Sequence, residues 1–166
     1  MADKKPLTLP GYRALMAEHE QLTKVERPRV VIGVTNAAAE GDRSENAEYI
    51  YGKKRLREID KRLQYLSMLL GDVEIIDPTQ LTGDKVCFGA TVVIGEEAPD
   101  GSTKKKKWQI VGEGESDTAQ GTISWKSPMA KALLGKRVGD VVTVERPAGE
   151  VDVEIVELWF ADRKIG

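Results

Sequence analysis

GDRSENAEYIYGKKRLREIDKRLQYL, residues 41–66, decides how this chain is read. Leu56, Ile59, Leu63, Leu66 and, just beyond, Leu70 step by three and four residues, which puts a single apolar seam on a helix. The other faces are charged. A seam that narrow suits a two-helix coiled coil better than a helix laid on a globular core. Upstream, Tyr12, Leu15, Leu22 and Val25, then Val30, Val31, Val34, Ala37 and Ala38, form the partner seam. Its phase changes between Val25 and Val30, beside Pro28, where the missing backbone donor predicts a bend or stutter. Gly41 and Asp42 separate the two segments, and so short a connection makes the helices antiparallel. At 1.5 Å per residue a segment of roughly 27 residues extends about 40 Å, so the hairpin is expected to project beyond any compact domain.

After Gly71 the period changes. Val73–Ile76, Val86–Ile94, Trp108–Val111, Thr122–Trp125, Val141–Val144 and Val151–Phe160 read as strands rich in Val and Ile. Asp77-Pro78, Gly83-Asp84, Asp100-Gly101, Gly139-Asp140 and Pro147-Ala148-Gly149 punctuate them. One short helix interrupts, with Ser127 as N-cap, Pro128 in the first turn and Gly135 at the stop. The expected class is α+β: an antiparallel coiled-coil hairpin over residues 1–71 and a small sheet domain with one helix over 72–166.

Composition narrows the function. The chain has 166 residues, 40% hydrophobic and 31% charged, ordinary for a globular protein. It has no apolar run long enough to span a membrane and no apolar signal-peptide core at its start, so a cytoplasmic protein is expected. The one cysteine, Cys87, excludes an internal disulfide, and the one histidine, His19, argues against a His/Cys zinc site. Charge is uneven. Residues 1–70 carry 13 Lys+Arg against 10 Asp+Glu, net +3, and residues 71–166 carry 12 against 17, net −5.

Two features at the hairpin tip bear on chemistry. Asp42 and Glu45, with Glu48 nearby, form an acidic cluster at a helix start. As a capping box, Asp42 and Glu45 would satisfy orphan backbone N–H groups. As ligands, two carboxylates at a projecting tip suit a hard cation such as Mg²⁺, with the remaining ligands coming from a partner. The readings compete for the same lone pairs; with Ser44 as the cap, both acids are released. Next comes a basic flank: Lys53, Lys54, Arg55, Arg57, Lys61 and Arg62. Lys54, Glu58 and Arg62 alternate in sign at spacing four, as a solvated face with internal ion pairs does. Lys53, Arg57 and Lys61 are like charges at the same spacing, an arrangement that a phosphate chain would offset. Tyr49 and Tyr51 precede the run; one could stack a base, while Tyr49 fits the hairpin core better.

The rest is bland. His19 reads as surface or seam. Cys87 reads as a buried, inert strand residue. Trp108, Trp125 and Trp159 read as core or contact residues, and Lys104–Lys107 as a solvated hairpin loop. There is no glycine-rich phosphate loop and no nucleophile elbow.

Gly41-Asp42-Arg43-Ser44-Glu45-Asn46-Ala47-Glu48-Tyr49 resembles the signature of the bacterial Gre transcript-cleavage factors, and Lys53 through Asp60 resembles the GreB branch. A second match lies in the other half: Ile123-Ser124, Ser127 through Gly135, Gly139-Asp140 and Pro147-Ala148-Gly149-Glu150. The resemblance implies an antiparallel coiled coil and an FKBP-like sheet domain that docks on RNA polymerase beside its secondary channel. It implies that the coiled coil enters the channel, that Asp42 and Glu45 help hold a Mg²⁺ and a water at the polymerase active site, and that Ser44 positions the tip. The polymerase then cleaves the extruded 3′ end of backtracked RNA. The basic patch that contacts this RNA carries over to Lys53, Lys54, Arg57 and Lys61, and with them to Arg55 and Arg62. No tightly bound cofactor, no membrane partner and a monomer when free are expected, and the chain is expected to act in trans rather than as an enzyme itself. The alternatives are a channel-binding inhibitor of polymerase on the same scaffold and a prolyl isomerase whose pocket would draw on Phe88, Trp108, Trp125, Trp159 and Phe160.

Overall fold

A computed structural model describes residues 4–41 and 46–166. Strand β1 (Lys5–Thr8) runs into helix α1 (Leu9–Gln21), which continues through a π-helical turn (Leu22–Glu26) into α2 (Arg27–Ala39). Helix α3 (Ala47–Leu70) follows, and then β2 (Val73–Ile76), β3 (Thr91–Glu97), β4 (Thr103–Val111) and β5 (Thr122–Ser124). Helix α4 (Pro128–Leu133) precedes β6 (Val141–Arg146), β7 (Gly149–Phe160) and β8 (Arg163–Lys164). The α+β class is as expected.

Two compact units divide the chain, and the hairpin unit is Tyr12–Gly71. Of the expected seam, Leu15, Leu22, Ala37, Ile59 and Leu66 are buried and Leu56, Leu63 and Leu70 half-buried, while Leu69, outside the expected ladder, is buried too. Val25 departs from the expected pattern and is 54% exposed. The cause is the π turn, where Arg27 N–H donates to the carbonyl of Leu22, five residues back. Pro28 has no N–H for the carbonyl four residues before it, and its ring crowds that carbonyl, so the preceding turn widens. The extra residue rotates Val25 off the seam and brings Val30 onto it. The phase change was legible at Pro28; its form, one wide turn inside a continuous helix, was not.

Residues 4–11 group with the sheet unit that resumes at Asp72, and not with the hairpin. Strand β1 pairs parallel with β2, Lys5 opposite Val73 through Thr8 opposite Ile76. Glu115 holds the end of β1: it accepts from the Thr8 N–H at 3.0 Å, from the Thr8 hydroxyl, and from Gly112 N–H at 2.7 Å. Thr8 in turn caps α1 by accepting from Gly11 N–H at 3.1 Å.

The main sheet has the order β5-β4-β3-β7-β6, with β8 on β7, and is antiparallel apart from the β4–β5 pair. Its core is Val92, Ile94, Ile110, Val144, Val153, Ile155, Leu158 and Phe160, closed by Ala130 and Leu133 of α4. Helix α4 begins as expected, with Ser127 Oγ accepting from Ala130 N–H at 3.2 Å. Two expectations change. The stretch from Val86 is a strand only from Thr91, because Gly89 turns the chain at φ +89 and its N–H reaches the Ile110 carbonyl at 2.8 Å. Cys87 is therefore in a turn and only half-buried; desolvation still pushes its thiol up. Lys104–Lys107 is not a loop but the first half of β4, in register with Ile94–Glu96 and Val93.

The seam carries a stability prediction. Leu66→Ala removes a fully buried side chain and is expected to destabilise the hairpin by about 2–5 kcal/mol. Val25→Ala should change stability by less than about 0.5 kcal/mol. Urea unfolding followed at 222 nm measures both, and equal losses would mean that the seam does not turn at Pro28.

Candidate nucleic-acid interface on the hairpin

The six cations of α3 divide into two groups. Arg62 lies along Glu18 of α1 in a bidentate pair, Nε to Oε2 at 2.7 Å and Nη2 to Oε1 at 2.9 Å. Arg55 donates from Nε to Glu26 at 2.7 Å, a second time to Glu26 from Nη2, and from Nη1 to Glu58 at 3.3 Å. On the opposite flank of the seam Arg27 of α2 donates to Asp60 at 2.8 Å. These pairs join the helices. The alternating row read from the sequence forms differently: Glu58 pairs with Arg55, and Arg62 reaches across to Glu18 rather than along its own helix.

The pairing is visible in the acids. The hydrogen bond from Arg62 holds the Glu18 carboxyl below its usual range, against an opposing desolvation. The hydrogen bond from Arg27 does the same for Asp60. Lys53, Lys54, Arg57 and Lys61 form the second group. All four are exposed, and none makes an ion pair among the described residues. The like-charged row Lys53–Arg57–Lys61 thus stands without internal compensation.

Asn46 ties the start of α3 to the end of α2. Its side-chain oxygen accepts from Tyr49 N–H at 3.1 Å, and its amide donates to the Ala37 carbonyl at 2.7 Å. Asn46 is therefore the N-cap of α3. Asp42, Ser44 and Glu45 themselves lie outside the described residues. Gly52 is the other residue that sequence reading passed over. A Cβ there would meet Val34 Cγ2 at 2.5 Å, so the helices approach closely just before the basic run. The available signal was a glycine inside a strong helical pattern, where it is unfavourable without a packing reason.

Elsewhere, the aromatic residues proposed for an isomerase pocket have other work. Phe160 is fully buried, Phe88, Trp108 and Trp125 pack on the core, and Lys107 Nζ sits 5.6 Å over the Trp159 ring. Among the described residues no cluster of three or more His, Cys, Asp or Glu could hold a metal ion, and no helix is long and apolar enough to cross a membrane.

Two family models match the chain: "Transcription elongation factor, N-terminal" over residues 5–75 and "Transcription elongation factor, GreA/GreB, C-term" over residues 81–160. Transcription elongation factor GreB of Pasteurella multocida is 46% identical over 160 residues, covering 96% of this chain and 99% of that protein. Transcription elongation factor GreA of Helicobacter pylori is 41% identical, with coverage of 96% on both sides. A crystal structure of Gfh1 from Thermus aquaticus is 27% identical and covers 95% of this chain and 99% of its own, at a TM-score of 0.43, too loose a likeness to bear on the arrangement. The chain belongs to the GreA/GreB family of transcription elongation factors.

The paired acids give a pH prediction. Their pKa values are lowered on folding, so the pairs stabilise the hairpin above the ordinary carboxylate range and are lost as pH falls through it. The thermal midpoint at 222 nm should drop on acidification towards about pH 3. The Glu18→Gln/Asp60→Asn variant should start lower at neutral pH and show a flatter profile; an unchanged slope would assign the acid sensitivity to other carboxylates.

Proposed function

We propose that this elongation factor inserts its hairpin into the secondary channel of RNA polymerase and stimulates the polymerase's own Mg²⁺-dependent cleavage of backtracked RNA. One observation carries the reading: α3 leaves four cations unpaired beside the Gre signature while two of its three arginines, Arg55 and Arg62, pair with the other helix. A helix that needed its charge only for stability would pair more of it.

The tip acids fit a shared metal by the chemistry of their donor set. Asn46 already caps α3, so the cap does not call on Asp42 or Glu45. Two carboxylates leave an octahedral ion short of ligands, which suits an ion held jointly with the polymerase. When bound, such an ion stabilises the attacking or the leaving oxygen of an in-line displacement. The chain's own part is to present Asp42 and Glu45, with Ser44 setting the tip between them. Lys53, Lys54, Arg57 and Lys61 hold the extruded strand by its phosphates, a sequence-independent contact. Arg55 and Arg62, committed to Glu26 and Glu18, keep α3 in register and stand at the margin of the patch. The factor is then not an enzyme alone but acts in the polymerase active site, in the cytoplasm.

RNA cleavage by a purified backtracked bacterial polymerase with Mg²⁺ tests this. The wild-type chain is expected to speed cleavage, while Asp42→Asn/Glu45→Gln binds the polymerase equally well and loses the stimulation, by roughly the 100-fold or more typical of a lost transition-state charge contact. Equal activity would make the acids structural. Binding without stimulation by the wild type would make the chain a channel-binding inhibitor.

A further inference from the structure

We infer that Tyr51 is a stacking platform for a base of the single-stranded RNA held along α3, an inference that rests on the reading of that face given above. Tyr51, in the second turn of α3, is 72% exposed, and its side chain makes no hydrogen bond or ring contact among the described residues. The other tyrosines of α3 are engaged: Tyr49 is half-buried, and Tyr65 carries the Arg62 guanidinium 5.5 Å from its ring centre. A lone exposed apolar residue is ordinary on any surface. Tyr51 is not alone, because Lys54 lies one turn further on the same side and Lys61 two turns beyond that, both unpaired. Ile50 beside it is also half exposed, at 51%, so the helix presents apolar surface where its cations begin.

The chemistry matches that arrangement. Proteins that hold single strands without reading sequence combine a cationic track with aromatic faces, because every base has a π-face. Tyrosine offers such a face with little rotamer freedom to lose. One helical turn is about 5.4 Å, so a base lying on Tyr51 has its flanking phosphates within reach of the long Lys54 side chain. The lysines supply attraction and the ring supplies position, which a phosphate track cannot. A strand fixed at one base cannot slide freely along the row, and its 3′ end then stands at a defined distance from the tip.

The test is binding of the full-length chain to a short fluorescent oligoribonucleotide over a series of salt concentrations. Tyr51→Ala and Tyr51→Leu are expected to weaken binding roughly tenfold at every salt concentration without changing the salt slope, and Tyr51→Phe to bind as the wild type does. Lys54→Ala, in contrast, should reduce the slope by about 0.7, the loss of one phosphate contact. Circular dichroism confirms that each variant keeps its helix, as the exposure of Tyr51 leads one to expect. If Tyr51→Ala and Tyr51→Leu bind like wild type while Lys54→Ala lowers the slope, the face holds RNA without a stack and the inference is overturned alone. If Tyr51→Phe loses as much as Tyr51→Ala, the hydroxyl and not the ring is used, which also overturns it. If the wild type does not bind at low salt, or the lysine variant leaves its slope unchanged, the RNA-facing reading fails and the stack with it.

Discussion

A proline in the middle of a long helix sets the terms for the hairpin. Pro28 withdraws one backbone donor, and the helix answers with a single wide turn at Leu22–Glu26 rather than a break. That turn moves the apolar seam by one residue, so that Leu15 before it, Leu22 at its start and Ala37 after it are all buried. The same turn carries Glu26, the residue that receives Arg55. Without the phase correction the seam would wind away from α3, and the ion pairs on its two flanks could not form together.

From this seam follows a division of charge. Three cations, Arg27, Arg55 and Arg62, are bound to acids across the helix pair, and four on the outer side of α3 are not. Arginine takes the structural role because its fork grips a carboxylate in two places. Lysine, a mobile point charge, dominates the free group. Exposed ion pairs contribute little each, so the buried leucines and isoleucine hold the helices while the arginines fix their register. Asn46 and Gly52 do the corresponding work near the tip, one by bonding both helices and the other by letting them approach.

Much of this was legible in the residues. The leucine ladder of α3, the six main Val- and Ile-rich strand regions and the cap of α4 follow from periodicity and capping chemistry. What was not legible has local physical reasons. Asp42, Ser44 and Asn46 are all good caps within five residues, and it is the bond accepted from Tyr49 N–H that singles out Asn46. Lysines have low strand propensity, so Lys104–Lys107 looked like a loop until pairing with β3 drew it into the ladder. Strand β1 is four residues long with a proline inside, and its evidence is a partner 68 residues away, Lys5 opposite Val73. The basic flank was legible as a group, but its split into paired and free cations depends on acids from the other helix.

The central claim is that the outer side of α3 is kept free for RNA. A photo-crosslinking residue placed at Arg57, in a backtracked polymerase complex with end-labelled RNA, tests it most directly. The account predicts a crosslink to the extruded 3′ segment from position 57 and none from the same probe at Thr23 on the other helix. Crosslinks from position 57 to polymerase alone, or equal RNA crosslinks from both positions, would contradict it.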